Sequence, residues 1–165
     1  MAAFSRHRDA LVWARHRAES DWGPLALESP YFAFDYTSYY SRTMGTGLEK
    51  VLWLFEPWGD PAALAQRKLA SNAWEAEYLA RGEFAEARPL NLDPGYLTEA
   101  KLVLATTKDR DHRIYLDSGI FAEVTLAYRN GAWTKNPWTY PDYQSDEYLA
   151  FFARCREYLR DRTRS

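Results

Sequence analysis

Residues 51–82 read VLWLFEPWGDPAALAQRKLASNAWEAEYLARG and contain the strongest secondary-structure signals in the chain. The first five residues of this stretch form an apolar run of strand length that is rich in residues favouring β-structure. Asp60 can accept hydrogen bonds from the free N–H groups of a helical first turn, and Pro61 suits the first helical position. Ala and Leu continue the helix to Ala80, and Gly82 can end it. The stretch therefore predicts a strand followed by a helix.

Further elements precede and follow this stretch. Gly23-Pro24 ends an earlier helix, because neither residue continues a helix well. The predicted order is strand, helix, strand, strand, helix, strand, at residues 2–5, 8–21, 25–29, 51–55, 60–80 and 88–92. This order predicts an α+β fold, with a ferredoxin-like antiparallel sheet backed by helices.

A hairpin is predicted in the second half of the chain, where Asp117-Ser118-Gly119 fits a three-residue turn with glycine in the left-handed position. The turn joins candidate strands at 113–116 and 120–128. The resulting register pairs Leu116 with Ile120, Ile114 with Ala122 and Arg113 with Glu123. Opposite charges favour the last of these pairs, so we expect Arg113 and Glu123 to be cross-strand neighbours.

Three further elements complete the chain. Asn130-Gly131 is a stronger hairpin signal and leads into a strand at 132–134. Residues 99–108 fit a helix capped by Thr98, but their apolar centre fits a strand equally well. Residues 146–160 form a final helix with an apolar stripe. The hairpins either extend the first sheet or form a second one.

Composition narrows the class of protein. The 165 residues suit a single domain over 1–165. The net charge of −2, without a strong basic cluster, makes nucleic acid an unlikely partner. Apolar runs fall far short of the roughly 20 residues that span a bilayer, so no membrane partner is expected. The N-terminus lacks the apolar core of a signal peptide, and Cys155 is the single cysteine, so we expect a cytoplasmic protein.

Residues 91–142 concentrate basic, hydroxyl, carboxylate and aromatic side chains inside apolar runs. A hydrophobic core contains few polar side chains, because each buried polar group requires a hydrogen-bonding partner. The number of polar side chains in this stretch therefore suggests a functional site. Arginine offers a planar fork of donors and lysine a point charge, and both suit phosphate or carboxylate. The side chains expected to bind such an anion are Lys101, Thr107, Lys108, His112 and Arg113.

The same stretch supplies candidates for catalysis. His112, beside Lys and Arg, can act as a general acid toward a phosphate ester. Asp93 or Glu123 can serve as a base or as a metal contact. Lys68 and Asn72 share one face of the helix at 60–80 and would form a second wall of the cleft. The expected aromatic walls are Tyr115, Trp138 and Tyr140. The leading hypothesis is thus a protein that binds or acts on a phosphorylated or carboxylated small molecule, such as a nucleotide, in one polar cleft.

Each of these features has a structural alternative. Lys68 and Glu75 can form a solvated ion pair worth about 0.3–0.5 kcal/mol, while the face carrying Leu64, Leu69, Ala76 and Leu79 covers the sheet. Asp93-Pro94-Gly95 fits a type II turn. His112 can be a hydrogen-bonded core histidine. The aromatic segments 34–40 and 138–143 can stack on a ligand or wrap the core. The alternative function is a non-catalytic module whose aromatic loops dock a protein partner or a second copy of the chain.

Several sequence motifs are absent. The chain has no phosphate-binding Gly-x-x-x-x-Gly-Lys-Ser/Thr loop and no Gly-x-Gly-x-x-Gly after a strand. Its three histidines are scattered and it has one cysteine, so we expect no zinc site. A magnesium ion held by Asp93, Glu123 or Asp142 stays an open alternative. The sequence specifies no cofactor.

These motifs resemble those of a bacterial family known as domain-of-unknown-function family 4416, and the resemblance covers nearly the whole chain. It is carried by Gly23-Pro24, Thr37 with Tyr39-Tyr40, Met44-Gly45, Lys68 with Asn72 and Glu75, Asn91 to Tyr96, Lys101 to Lys108, His112 to Leu116, Glu123 to Leu126 and Trp138 to Tyr143. The family pattern usually has an acidic residue before Met-Gly, where this chain has Thr43. Some members are labelled GTP-binding, but no residues here support that label. The resemblance implies kinship and no particular reaction.

Overall fold

A computed structural model describes residues 1–35, 40–82 and 84–164. The described residues form two compact units, one of Met1–Asp60 with Gln66–Pro94 and one of Pro61–Ala65 with Gly95–Ser165. Thr37 and Tyr39, from the aromatic segment and the family motif, lie outside the described residues. The assignment of 1–165 to a single domain stays a prediction.

The predicted α+β class is confirmed, because the described residues form two antiparallel sheets and four helices. In the first unit the strand order is β2-β4-β1-β5, and β3 also pairs with β4. Its strands are β1 (Ala2–Ser5), β2 (Leu25–Glu28), β3 (Phe32–Ala33), β4 (Glu49–Phe55) and β5 (Asn91–Asp93). The helices that begin in the first half of the chain are α1 (Arg8–Trp22), α2 (Ser41–Met44) and α3 (Leu64–Leu79).

The two faces of this sheet pack against different side chains, because neighbouring residues of a strand point to opposite faces. On one face, α1 and α3 cover an apolar cluster that includes Ala3, Leu11, Val51, Trp74 and Leu92. On the other face, Phe4 packs with Phe34, Met44 and Leu48. The expected buried face of α3 is wrong for the second half of the helix, where Ala76 and Leu79 are exposed, although Leu64 is buried and Leu69 half-buried. The buried residues that follow along the helix are Lys68, Ser71, Trp74 and Tyr78.

The hairpins form a sheet of their own in the second unit, with strand order β10-β9-β7-β6 and β8 paired to β9. Its strands are β6 (Gly95–Leu97), β7 (Lys101–Thr106), β8 (Ile114–Asp117), β9 (Ile120–Arg129) and β10 (Ala132–Lys135). The last helix is α4 (Asp146–Arg164), whose Tyr148, Phe151, Phe152 and Cys155 are buried.

Two local expectations fail around residues 93–108. Residues 101–106 are the strand β7, so the helical alternative is wrong. The type II turn at Asp93-Pro94-Gly95 is also wrong, because Gly95 lacks the positive φ that such a turn requires. The chain instead continues from β5 through Pro94 into β6. A Cβ on Gly95 would lie 2.3 Å from the carbonyl oxygen of Val103, so close approach to β7 explains the glycine.

The first hairpin is confirmed with a modified turn. Ser118 and Gly119 both have positive φ, at 50° and 76°, which gives a two-residue turn where three residues were expected. Ile114 pairs with Ala122 as predicted, but Asp117 rather than Leu116 opposes Ile120. A bulge absorbs the difference between the two pairs. The Asn130-Gly131 hairpin is confirmed, with positive φ at both residues.

Candidate functional site

Glu123 is the centre of a polar cluster in the second unit. It lies on β9, and its side chain is 1% exposed. Its Oε2 accepts a hydrogen bond from Nε of Arg113 at 2.8 Å and lies 3.2 Å from Nε2 of His112. Thr125 Oγ1 donates to Oε1 at 3.3 Å. A buried carboxylate needs such partners, and the predicted contact between Arg113 and Glu123 is confirmed.

Arg113 connects three parts of the unit. Besides the bond to Glu123, its Nη1 donates to the carbonyl oxygen of Lys108 at 2.8 Å and its Nη2 donates to the Tyr140 hydroxyl at 2.8 Å. The side chain is 6% exposed. Each nitrogen of the guanidinium therefore already donates to a protein acceptor. This arrangement differs from the expected role of Arg113 as a fork that binds the ligand anion.

His112 lies at the surface side of this cluster. Its ring stacks on Trp138, with centroids 4.9 Å apart and planes 10° apart. Its Nδ1 lies 3.1 Å from Oδ1 of Asp111, and its hydrogen bond lowers the pKa of that exposed carboxyl. Both ring nitrogens thus face carboxylate oxygens, and a ring must carry both protons to donate to both at once. The two carboxylates and the Trp138 ring hold the imidazole in one orientation.

A bulge in β9 positions the aromatic segment beside His112. Leu102 pairs with Leu126 and Val103 with Val124, so Thr125 is the extra residue on β9. β9 pairs with β8 at residues 120–122 and with β10 at residues 126–129. Between these two stretches, backbone carbonyls of β9 accept hydrogen bonds from side chains of residues 136–139. Asn136 Nδ2 and Trp138 Nε1 donate to the Val124 carbonyl at 2.8 and 2.9 Å, and Thr139 Oγ1 donates to the Thr125 carbonyl at 2.6 Å. These bonds take the place of a strand and fix the Trp138 ring.

Sequence reasoning missed Thr125, Asn136 and Thr139 as members of this cluster. All three are small polar residues next to recognised candidates, and Thr125 and Thr139 are buried. The sequence held one signal for Thr125, which alternates with apolar residues on a strand close to Glu123. A buried hydroxyl at such a position is expected to hydrogen-bond to the glutamate carboxylate.

The first unit contains the other expected carboxylate and lysine. Lys68 Nζ donates to the Leu92 carbonyl at 2.7 Å and to Asp93 Oδ1 at 3.1 Å. Asn91 Nδ2 donates to Asp93 Oδ2 at 2.8 Å. Burial pushes the pKa of Asp93 upward, but the charges of Lys68 and Lys50 and these hydrogen bonds hold it below its ordinary value. Asp93 is thus a fixed anion and is poorly suited to accept a proton near neutral pH.

Glu75 and Lys68 together cover the outer side of β5, which ends the sheet order among the described residues. Glu75 Oε1 accepts the Leu92 N–H at 2.7 Å, while Lys68 donates to the Leu92 carbonyl. Glu75 Oε2 also binds Arg88 at 2.8 Å. Burial raises the pKa of Glu75 despite the nearby Arg88 and Lys68 charges. Side chains of α3 thus satisfy the strand edge, which could otherwise pair with another chain.

The remaining candidates lie in different places. Lys108 and Thr107 are exposed on the loop between β7 and β8. Tyr115 is exposed on β8 and packs edge-on against Phe121. Lys101 begins β7 and lies about 17 Å from that loop at the strand rise of ~3.3 Å per residue, so the cluster does not include it. Asn72 is half-buried on α3.

Three further observations concern metal binding, membrane-spanning helices and the cysteine. Among residues 1–35, 40–82 and 84–164, no group of three or more His, Cys, Asp or Glu side chains is arranged to hold a metal ion. Within the same described part of the chain, no helix is both long and apolar enough to cross a membrane. Cys155 is buried, and burial raises the pKa of its thiol to about 12.

Residues 1–158 match the family described as "Domain of unknown function (DUF4416)". No curated protein and no solved structure matches the chain.

Proposed function

We propose that this chain, which belongs to the DUF4416 family of unknown function, binds a phosphorylated or carboxylated small molecule on its second unit. The proposed surface is formed by residues 106–113 and 136–140, and a nucleotide is one ligand of this class. His112 would exchange a proton with the ligand if the protein is an enzyme. The family match confirms the resemblance seen in the sequence and implies no reaction.

The observation that carries the proposal is the guanidinium of Arg113. It ties the loop at Lys108 and the aromatic segment at Tyr140 to the buried carboxylate of Glu123. A buried ion pair rarely stabilises a fold more than apolar side chains of the same volume would. We therefore interpret the pair as a frame that holds two surface segments in a fixed arrangement, as a binding site needs.

The side chains held by this frame suit a ligand that combines an anionic group with a planar group. Lys108 and Arg110 are exposed cations on the loop, which also carries the exposed Asp109, while Asp111 on the same loop accepts a bond from His112. Trp138 and Tyr140 offer ring faces on which a base or another planar group can stack. His112 stacks on Trp138 between these groups, and it would donate a proton to a phosphate ester after its Nδ1 exchanged the contact with the exposed Asp111 for one with the ligand. Glu123 would orient the imidazole and would not act as the base itself.

Two finer assignments belong to the same proposal. The first unit would be ferredoxin-like, and its strand order β2-β4-β1-β5, with helices following β1 and β4, supports that assignment. The protein would be cytoplasmic, as a single cysteine is compatible with a reducing compartment.

The proposal is tested by a thermal melting screen against nucleotides, sugar phosphates and inorganic phosphate. A ligand at about ten times its dissociation constant stabilises the native state by about 1.4 kcal/mol, which raises the midpoint by roughly 3–5 °C for a chain of this length. Lys108→Gln should reduce the shift. Lys101→Gln, at the far end of β7, is the matched control and should leave the shift unchanged.

Two results would contradict the proposal. If no phosphate-bearing or carboxylate-bearing probe shifts the midpoint at about millimolar concentration, the protein has no anion site of useful affinity. If Lys101→Gln reduces the shift as much as Lys108→Gln, the site lies elsewhere. The alternative, a non-catalytic interaction module, would then be the better account, and the exposed side chains of β8 favour it.

A further inference from the structure

We infer that Asp111 competes with the ligand for His112 and thereby limits the affinity of the proposed anion-binding surface. The inference rests on the proposed function and deepens it, because it concerns the same surface. Its starting observation is that Asp111 Oδ1 lies 3.1 Å from Nδ1 of His112, while Nε2 of the same ring faces Glu123. Nδ1 is thus the ring nitrogen that a bound anion would have to take over from Asp111.

The two carboxylates that face His112 differ in how easily they can be released. Glu123 is 1% exposed and is also bound by Arg113, so breaking its contact with His112 would leave a buried charge with one partner fewer. Asp111 is 99% exposed, and water solvates its carboxylate as soon as the contact opens. The contact at Nδ1 is therefore the one that a ligand can replace at little cost.

Asp111 approaches the imidazole from the direction that a ligand anion would use. The N–H bond at Nδ1 points outward in the plane of the ring, and Trp138 covers one of the two ring faces. Oδ1 of Asp111 occupies the acceptor position of this bond. Because Asp111 is adjacent to His112 in the chain, its carboxylate is present at a high effective concentration at any ligand concentration. An anion gains the His112 contact only by displacing this carboxylate.

The strength of this competition sets the size of the effect. An exposed ion pair shifts an equilibrium by roughly 1.5-fold to fivefold, and the contact of Asp111 with His112 belongs to that class. The negative charge of Asp111 also repels an anion, independently of His112. Asp109 carries the same charge on the same loop and is exposed, but Nδ1 of His112 faces Asp111. Comparing the two aspartates therefore separates competition for the imidazole from repulsion of the anion.

The test is a ¹H–¹⁵N NMR titration of the full chain with phenyl phosphate, which combines a phosphate with a planar ring, and with inorganic phosphate. The titrations are run at about pH 6, where histidine is protonated more fully than at neutral pH. We expect Asp111→Ala to bind the phosphate probes about twofold to fivefold more tightly than the matched control Asp109→Ala. Adding His112→Gln to both variants should abolish the difference, because the competition requires the imidazole.

Equal affinities of Asp111→Ala and Asp109→Ala would overturn the inference and leave the proposed function standing. Weaker binding by Asp111→Ala than by the control would overturn it too, since Asp111 would then position His112 for the ligand. A difference that persists with His112→Gln would place the competition elsewhere, with the same consequence. The absence of saturable shifts with either probe in any variant would contradict the proposed function as well. Asp111→Ser replaces Asp111→Ala if that variant fails to fold.

Discussion

Replacing Arg113 with methionine removes the cation that matches the Glu123 carboxylate. Methionine keeps an unbranched side chain of similar reach, so the change is mainly one of charge and hydrogen bonding. Glu123 is 1% exposed, and its remaining partners are His112 and Thr125. Breaking a buried ion pair by removing one partner typically lowers the free energy of unfolding by about 3–5 kcal/mol. Because His112 still faces the carboxylate, we expect a loss near the lower limit of about 3 kcal/mol.

Urea denaturation at neutral pH measures this loss by linear extrapolation. The matched control is Arg8→Met. Arg8 binds both oxygens of Glu49 at 2.6 Å, shorter than the Arg113 contact, but its guanidinium is exposed. Water and salt screen that pair, so the control should lose far less stability. The double variant Arg113→Met with Glu123→Leu should recover part of the loss, since it removes the uncompensated charge. Equal losses in Arg113→Met and Arg8→Met, or a double variant less stable than Arg113→Met, would contradict this prediction.

Three further predictions follow from single contacts. Gly95→Ala should lower the free energy of unfolding by about 2 kcal/mol or more, because the added Cβ would collide with the Val103 carbonyl. The control is Gly82→Ala, where the added Cβ would lie 3.7 Å from its nearest neighbour and should change the stability little; urea denaturation measures both variants. The folded-state pKa of Asp93 lies below its unfolded value, so its contribution to stability is present above about pH 4 and is lost as the pH falls through the lowered folded-state pKa; the stability difference between wild type and Asp93→Asn should shrink as the pH is lowered below about 4, and a constant difference would contradict this prediction. Cys155, buried with a pKa of about 12, should react with a thiol reagent at mildly alkaline pH only after unfolding, and rapid labelling of the native protein would contradict its burial.

The sequence predicted those elements whose signals are local. Asn130-Gly131 forms its hairpin because both residues tolerate positive φ, and α1 ends at Gly23-Pro24 because the glycine adopts a φ of 92°. The contact between Arg113 and Glu123 follows from hairpin register and charge, even though the turn is one residue shorter than expected. Periodicity and turn chemistry carry this information without any knowledge of the tertiary structure.

Other features depend on contacts between residues that are far apart in the sequence. The local pattern of a single sequence does not predict such contacts. The face of α3 was predicted incorrectly because Lys68 reads as a surface residue, yet its ammonium is buried on the Leu92 carbonyl and Asp93. Gly95 reads as a turn glycine, but its role is close approach to β7.

The candidate site was predicted in part for the same reason. His112, Arg113, Glu123, Trp138 and Tyr140 do meet, because β8, β9 and the segment after β10 converge. The β-bulge at Thr125 positions residues 136–139 against β9, and no pattern in the local sequence predicts this bulge. The proposed role of Arg113 as a frame depends on the Lys108 carbonyl and the Tyr140 hydroxyl, which only the folded backbone brings within reach.

Residues 106–113 and 136–140 are proposed to form an anion-binding surface held by Arg113. This proposal can be tested by an amide and indole ¹H–¹⁵N NMR titration of the wild-type chain with a nucleotide, a sugar phosphate and inorganic phosphate. We expect at least one probe to shift the resonances of residues 106–113 together with the Trp138 indole N–H, in a saturable way. Saturable shifts confined to other parts of the chain, or no shifts with any probe at about millimolar concentration, would contradict it.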